Sequence, residues 1–538
     1  MTERSQTLVY GMALAHDPRT HSRNGPTIHC LPDEILVYVF VYLSEAWAWR
    51  KRFGYESTVR PRRRHNGSWT PLMLVCRRWR ELGCTSARLW RAIDVDSSPE
   101  RLRLALERSQ GATLELYFHS PPIFLSSISL LTQQAHRLRK LLLPPMEGSH
   151  LPALHSLFST DMPVLNELRL WVEDNADTPQ ADPASIRFCA SRFPRLQYIR
   201  LSHVTFQWEP SAISNLRFLH LHSCHSLDSS LPIEKFLDVL SSGTKLEELR
   251  LYQFISTIAH NVPTGFERNV SLPRLRKLVV GDVPHLTALF LSSVTLPSNI
   301  TLRVVGLLDA TILANAQNRL LASLLPTDHG RLPILQAVTQ VNFRNYDDFH
   351  VCGVAPNASI TLKLRSELDL EELYTECALI EVAQIFQHAP VTELDIDCGP
   401  DTVDDRGVWV HLFAFFDRVR SLHVLPGQAV RPIWHALGGW SYPWEEPEDY
   451  QGVLCPELRV LDIEYLQWDE EAMDFILASL RRRHLRGLPK LDSLSIGFTY
   501  DIDSKSQRDD VVMETDLMIP SYEDHLSTYT AKFVWSRN

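Results

Sequence analysis

The chain of 538 residues has no Cys-x-x-Cys pair among its nine cysteines, which stand apart at Cys30, Cys76, Cys84, Cys189, Cys224, Cys352, Cys377, Cys398 and Cys455. An odd, scattered set builds neither a disulfide framework nor a zinc ribbon, and it suits a reducing compartment. Long apolar runs are also missing. The longest, Ile35 to Leu43, is far short of the ~20 residues that cross a bilayer. Met1 to Ile28 lacks the apolar stretch of a secretory signal, so the sequons at Asn66, Asn269, Asn299 and Asn357 read as chance matches. A cytoplasmic or nuclear protein with no membrane partner is expected.

Basic charge is not in surplus: 54 Lys and Arg face 64 Asp and Glu, a net charge of -10. Nucleic-acid binding requires a basic surface that displaces counterions, so no nucleic-acid partner is expected. No Gly-x-Ser-x-Gly, His-Glu-x-x-His, phosphate loop or Gly-x-Gly-x-x-Gly occurs. No catalytic residue, metal or cofactor is therefore assigned. An enzyme reading would need a nucleophile of unfamiliar pattern in a deep polar pocket.

What the chain has is length and apolar content. Apolar residues make up 44%, enough for a large core. At this length a single core is unusual, so several domains or an elongated repeat array is expected.

Residues 1–27 are polar and aperiodic, which predicts disorder. At Leu31 the character changes. Pro32 suits a first helical turn, and Asp33 and Glu34 suit the positive end of a helix dipole. Ile35, Leu36, Val39, Phe40 and Leu43 form a helical stripe, and Val37, Tyr38, Val41 and Tyr42 add apolar groups elsewhere on the same helix. Such a helix must be covered on more than one side, by its own module and by a partner. Residues 44–70 hold seven basic residues against two acids, with Gly and Pro, and predict a flexible basic loop. Arg60-Pro61-Arg62-Arg63-Arg64 within it reads as a solvated loop rather than an import signal. A second helix is predicted from Pro71 to Leu82, with Leu72, Val75, Cys76, Trp79 and Leu82 as its stripe, followed by Ala87 to Ile93.

Leu31-Pro32-x-Glu34-Ile35-Leu36, then Val75-Cys76-x-x-Trp79-x-x-Leu82, then Leu89-Trp90-x-x-Ile93 resembles the F-box in order and content. The long insertion between the first two fragments is a departure from that pattern. The resemblance implies a short three-helix module that docks on a Skp-type adaptor and, through it, on cullin and RING subunits. Carried over residue by residue, the adaptor-binding candidates are Leu31, Pro32, Ile35, Leu36, Phe40, Val75, Trp79, Leu89 and Trp90.

Downstream, Leu-x-x-Leu-x-Leu (with Val or Ile allowed) recurs ten times, from Leu138/Leu141/Leu143 to Leu491/Leu494/Ile496. Successive starts in the first half lie 27, 31, 20, 30 and 29 residues apart, slightly long for a leucine-rich repeat. The copy at Leu216, Leu219, Leu221 and Cys224 is nearly complete. Alternation buries the leucines and turns the residues between them outward. Segments such as Ile233 to Leu240 and Glu471 to Arg483 predict covering helices. Between Val280 and Val391 the pattern blurs, and residues 300–304 and 360–364 look like strands of another register.

The fold class expected is thus α/β: a short all-α F-box module at 28–96, with the insertion at 44–70, followed by an irregular leucine-rich-repeat solenoid at 97–498. An acidic tail or closing cap is expected at 499–538, with eight acids against four bases. Outward positions in the predicted strands place Arg169, Arg200, His220 and Arg250 in a row about 15 Å long, with Trp171 and Tyr252 beside it. Guanidinium groups fork onto carboxylate or phosphate oxygens, so this row is the candidate site for a client protein. The expected role is a non-catalytic substrate receptor of a ubiquitin ligase, and the alternative is a repeat scaffold with no link to ubiquitination. His220, His222, Cys224 and His225 could suggest a metal, but Cys224 falls at an inward repeat position.

Overall fold

A computed structural model describes residues 28–52, 70–95, 99–173, 186–226, 233–259, 268–308, 319–346, 348–366, 372–398, 403–425, 431–439, 454–467, 470–499 and 518–537. The expectation of disorder at 1–27 and the Arg60 to Arg64 run lie outside these residues. Tertiary contacts divide the chain into two units, Met1–Arg91 with Leu104–Ala112 and Ala92–Arg103 with Thr113–Asn538.

The first unit begins with helix α1, Asp33–Arg52. Residues 44–52, expected to open the basic loop, are thus helical. Glu45, Ala46 and Ala48 propagate a helix, and Arg50, Lys51 and Arg52 suit its negative end. Residues 53–69 lie outside the described residues. The second predicted helix is also displaced. Thr70–Leu74 is a 3-10 turn, the chain is extended at Cys76 (φ -156°, ψ 170°), and helix α2 runs Arg77–Thr85. The Cys76 thiol accepts from the Trp79 amide and caps α2, so the break sits inside the segment read as one helix. Residues 87–90 form turns, and Ala92–Val95 is a strand; no helix forms at 87–93, where two turn bonds end at Leu89 and Trp90.

The second unit is built on a sheet of 17 strands. In chain order they begin β1 Ala92–Val95, β2 Leu114–Phe118, β3 Leu138–Leu142, β4 Glu167–Trp171, β5 Tyr198–Ser202 and β6 Phe218–His222. Next come β7 Glu248–Tyr252, β8 Lys277–Asp282, β9 Thr301–Leu308, β10 Gln340–Asn345, β11 Phe349–Ala355 and β12 Ala358–Ser366. The last are β13 Glu393–Asp397, β14 Ser421–Leu425, β15 Val460–Gln467, β16 Ser493–Thr499 and β17 Phe533–Arg537. From β1 to β9 each strand lies parallel beside its successor, and β13 to β17 do the same.

Between these runs the order inverts. β9 pairs parallel with β12, β12 antiparallel with β11, β11 antiparallel with β10, and β10 parallel with β13. A three-strand meander is thus inserted back to front, and the sheet stays continuous across the stretch where the sequence pattern blurs. Residues 301–308 and 358–366 are neighbours in one sheet, with Leu278 opposite Leu302 and Leu302 opposite Ile360, not strands of a separate register.

Alternation explains the core. In β4 to β7 the first and second Leu or Ile of each strand are buried, as at Leu168, Leu170, Ile199, Leu201, Leu219, Leu221, Leu249 and Leu251. Helices between strands bury Phe236, Leu237, Trp409, Phe413, Trp434 and Ile476. After β5, β6 and β7 the chain turns through left-handed residues, His203 (φ 54°), Ser223 (φ 45°) and Gln253 (φ 46°), whose amides donate to His222, Tyr252 and Gly281 carbonyls. The same turn at the same place in three successive copies fixes their stacking. Two buried acids tie loops down. Asp282 accepts from the amides of Ile255, Ser256 and Val283, and Glu381 from those of Leu320 and Ala322. At the far edge, residues 518–526 are helical and β17 adds to β16, so the expected acidic tail contributes a closing strand. No helix among the described residues is long and apolar enough to cross a membrane.

Candidate functional site

Within the first unit, the residues singled out from the sequence separate into inside and outside. Leu36 and Phe40 on α1, Trp79 on α2, and Leu89 and Trp90 after it are buried. The Phe40 and Trp79 rings meet edge to face at 4.9 Å. The Trp90 indole donates to the Gly83 carbonyl at 2.8 Å, and the Arg108 guanidinium lies over its ring at 5.1 Å. Arg78 holds the entry of α1 in place, donating to the Leu31 carbonyl at 2.6 Å and to Asp33 Oδ1 at 2.5 Å and 2.9 Å.

Pro32, Ile35 and Val75 are exposed, and Leu31 is partly so. On α1, Ile35, Tyr38 and Tyr42 follow one another at three and four residues, which sets them on one stripe, away from Leu36 and Phe40. Tyr38 is 62% exposed, Tyr42 70%, Leu74 78% and Val75 57%, apolar exposure of the kind found at interaction surfaces. The Arg88 guanidinium sits over the Tyr38 ring at 5.1 Å. Tyr38, Tyr42 and Leu74 were not among the candidates; the period of α1 contained the first two, but only the packing shows which side of the helix is spent internally.

Residues 28–96 match the F-box-like family model. No curated protein is similar enough to count as a relative of the whole chain. F-box domains are in general non-catalytic modules that bind Skp-type adaptors in ubiquitin ligases, and the F-box-like domain places this chain in that general context.

On the sheet, register aligns Arg169 with Arg200, Arg200 with His220 and His220 with Arg250. Their charges are not equivalent. Arg169 is held by Glu167 at 2.6 Å and lies over the Tyr198 ring at 4.8 Å. Arg250 is held by Glu248 at 2.5 Å. Arg200, between them, has no ion pair among the described residues, and burial together with the charges of Arg169 and Arg250 lowers its pKa. The same causes, burial first and then Arg200 and Arg250, push His220 down to about 2, so it is a neutral imidazole. Its ring lies 6.0 Å from Tyr252, which is also 6.1 Å from His222. Tyr252 packs closely on Gly281, where a Cβ would fall 2.6 Å from the Tyr252 ring. Trp171 is 39% exposed at the end of β4.

Cys224 is wholly buried, its thiol donates to the His222 carbonyl at 3.4 Å, and burial pushes its pKa to about 12. It packs as a small core residue at its inward repeat position. The one convergent set of metal-type donors among the described residues is instead His423, Asp462 and Glu464, whose ligand atoms lie within 4.8 Å of one another. Sequence reading did not single it out, because the three residues come from two strands. His423 Nδ1 hydrogen-bonds Asp395 Oδ1 at 2.8 Å, and Nε2 faces Asp462 and Glu464 at 3.9 Å and 3.8 Å. The Asp395 hydrogen bond, with the charges of Asp395, Asp462 and Glu464 and against the effect of burial, raises the His423 pKa. A polar depression at the start of β2, β4 and β5, lined by Thr113, Arg139, Asn166, Arg195 and Gln197, contains no carboxylate, histidine or cysteine.

Proposed function

We propose that this chain is a substrate receptor: its F-box-like domain docks on a Skp-type adaptor, and the sheet face holds a client protein for ubiquitination by the attached cullin and RING subunits. The observation that carries this reading is that the residues matched to the F-box-like model leave Ile35, Tyr38, Tyr42, Leu74 and Val75 outside. Covering apolar surface contributes about 25 cal/mol per Å², so a standard interface of roughly 800 Å² per partner built around these side chains is stable without any charge pair.

Leu31, Pro32, Ile35 and Val75 are the proposed direct contacts. Leu36, Phe40, Trp79, Leu89 and Trp90 act one step back, holding α1 and the 70–90 segment in shape. The seventeen strands, with Leu-x-x-Leu-x-Leu in ten of them, support a leucine-rich-repeat solenoid interrupted by the β10–β12 meander. Tethering then does the work: a client held on the sheet raises the effective concentration of its lysines at the charged conjugating enzyme, and this chain breaks no bond itself.

The test is co-expression of the full chain with a Skp-type adaptor carrying the affinity tag. An equimolar complex is expected, stable on the order of 1 M salt where the Debye length is about 3 Å, and able to bring down cullin. A folded chain that leaves the adaptor alone would reduce the protein to an interaction scaffold outside the ligase.

A further inference from the structure

Along the central outward row of the sheet the sign of the charge changes once. From β4 to β10 the outward positions carry the half-buried Arg169, Arg200, Arg250, Arg303 and Lys363 and the exposed Arg344, with Glu167, Glu248 and the adjoining Asp348 as partial counterweights. From β13 to β15 they carry Glu393, Asp395, Asp462 and Glu464, and His423 is the sole basic side chain facing them on these strands. The two zones meet where Arg344 comes within 3.9 Å of Asp395. The ladder carries the row across the junction without a slip: Arg250 faces Val279, Val279 faces Arg303, Arg303 faces Thr361, and the line continues through Cys352 and Asn342 to Asp395.

Neither zone is neutral within itself. Arg200 has no carboxylate partner among the described residues, and the Arg303 Nε is buried with no hydrogen-bond partner among them. Asp462 and Glu464 share a single imidazole at 3.8 Å or more. Charges left this way stabilise whatever brings the opposite sign to them, and they repel the same sign.

Resting on the reading of this face as the client surface, we infer that the client segment is itself bipolar, acidic where it lies over β4–β9 and basic where it lies over β13–β15. From the Arg303 strand to the Asp395 strand is four strand steps, about 19 Å at ~4.8 Å each. An extended chain rises about 3.3 Å per residue, so the acidic and basic ends are separated by roughly six residues. A uniformly acidic segment would satisfy the first zone and be repelled by the second. The face therefore selects for the order of charges along a chain as well as for their number.

Fluorescence anisotropy on the full chain tests this with three labelled peptides of Glu, Lys, Gly and Ser: one with acidic and basic ends separated by about six neutral residues, one with the same composition but alternating charges, and one all-acidic. The segregated peptide is expected to bind at least about tenfold tighter than either of the others. Both Arg200→Glu and Asp462→Lys should abolish that preference, the first by losing the acidic end and the second by losing the basic end. Equal binding of the alternating peptide overturns the inference, as does an Asp462→Lys protein that still prefers the segregated one. An unchanged far-ultraviolet spectrum and melting transition show that each variant is folded. Adaptor capture uses other residues, so its failure would remove the receptor reading, whereas failure here removes only the bipolar client.

Discussion

The two units present opposite kinds of surface. Of the twelve large apolar side chains that are exposed among the described residues, seven (Ile28, Ile35, Tyr38, Tyr42, Leu74, Val75 and Leu104) belong to the first unit, although the second is several times longer. The sheet instead buries its leucines and turns arginines, histidines and carboxylates outward. The difference teaches that one chain carries two binding chemistries. The F-box-like domain invites a partner that excludes water, and such contact is little affected by salt. The sheet face attracts by charge, which steers and discriminates but is screened.

Four measurements sharpen or break this contrast. The largest effect is expected from Phe40→Ala. Phe40 is 1% exposed and packed on Trp79, so its loss should cost about 3–5 kcal/mol, with the helices of the F-box-like domain melting early by calorimetry and adaptor capture gone. Next, Tyr38→Ala combined with Val75→Ala should leave the melting profile alone yet weaken adaptor affinity by about a hundredfold in a calorimetric titration, since exposed anchors of this size each supply ~1–2 kcal/mol. Third, raising salt from about 0.05 to 0.5 M should change adaptor affinity by less than about threefold while lowering binding of an acidic peptide to the sheet by far more. Equal sensitivity at both places would erase the distinction.

The smallest effect concerns two histidines on the same row. His423 is raised by its Asp395 hydrogen bond and the neighbouring carboxylates. The stability it contributes is complete below the ordinary histidine value of 6.5 and is lost as pH rises through its own higher one. His220 is lowered to about 2 by burial and by Arg200 and Arg250, so its contribution is complete above 6.5 and is lost as pH falls towards 2. Proton NMR titration should show His423 changing above the usual histidine range and His220 not changing down to pH 4 or so. Matching titrations of the two rings would mean that the face carries no sign change.

Much of this was legible in the sequence, and the part that was not has physical causes. Period-two leucines gave the sheet strands from Leu138 onward, and counting outward positions placed Arg169, Arg200, His220 and Arg250 in their row. The meander escaped because it joins the sheet out of chain order, β9 to β12 and β10 to β13, and pairing order leaves no mark on local periodicity. In the F-box-like domain the apolar positions were evident but their side was not: Leu36 and Ile35 are adjacent and equally apolar, yet one is wholly buried and the other 47% exposed. Helix α1 ran on through Arg52 because residues 44–52 have strong helix formers, a propensity that the basic charge concealed. The nest around His423 joins residues from β13, β14 and β15, which only the register brings together.

Hydrogen–deuterium exchange of the full chain, with and without a purified Skp-type adaptor, tests the central claim most directly. The account predicts slowed exchange in residues 31–43 and 71–82 and no change in the strands from β4 to β15. Protection confined to the sheet, or none at micromolar adaptor, would contradict it.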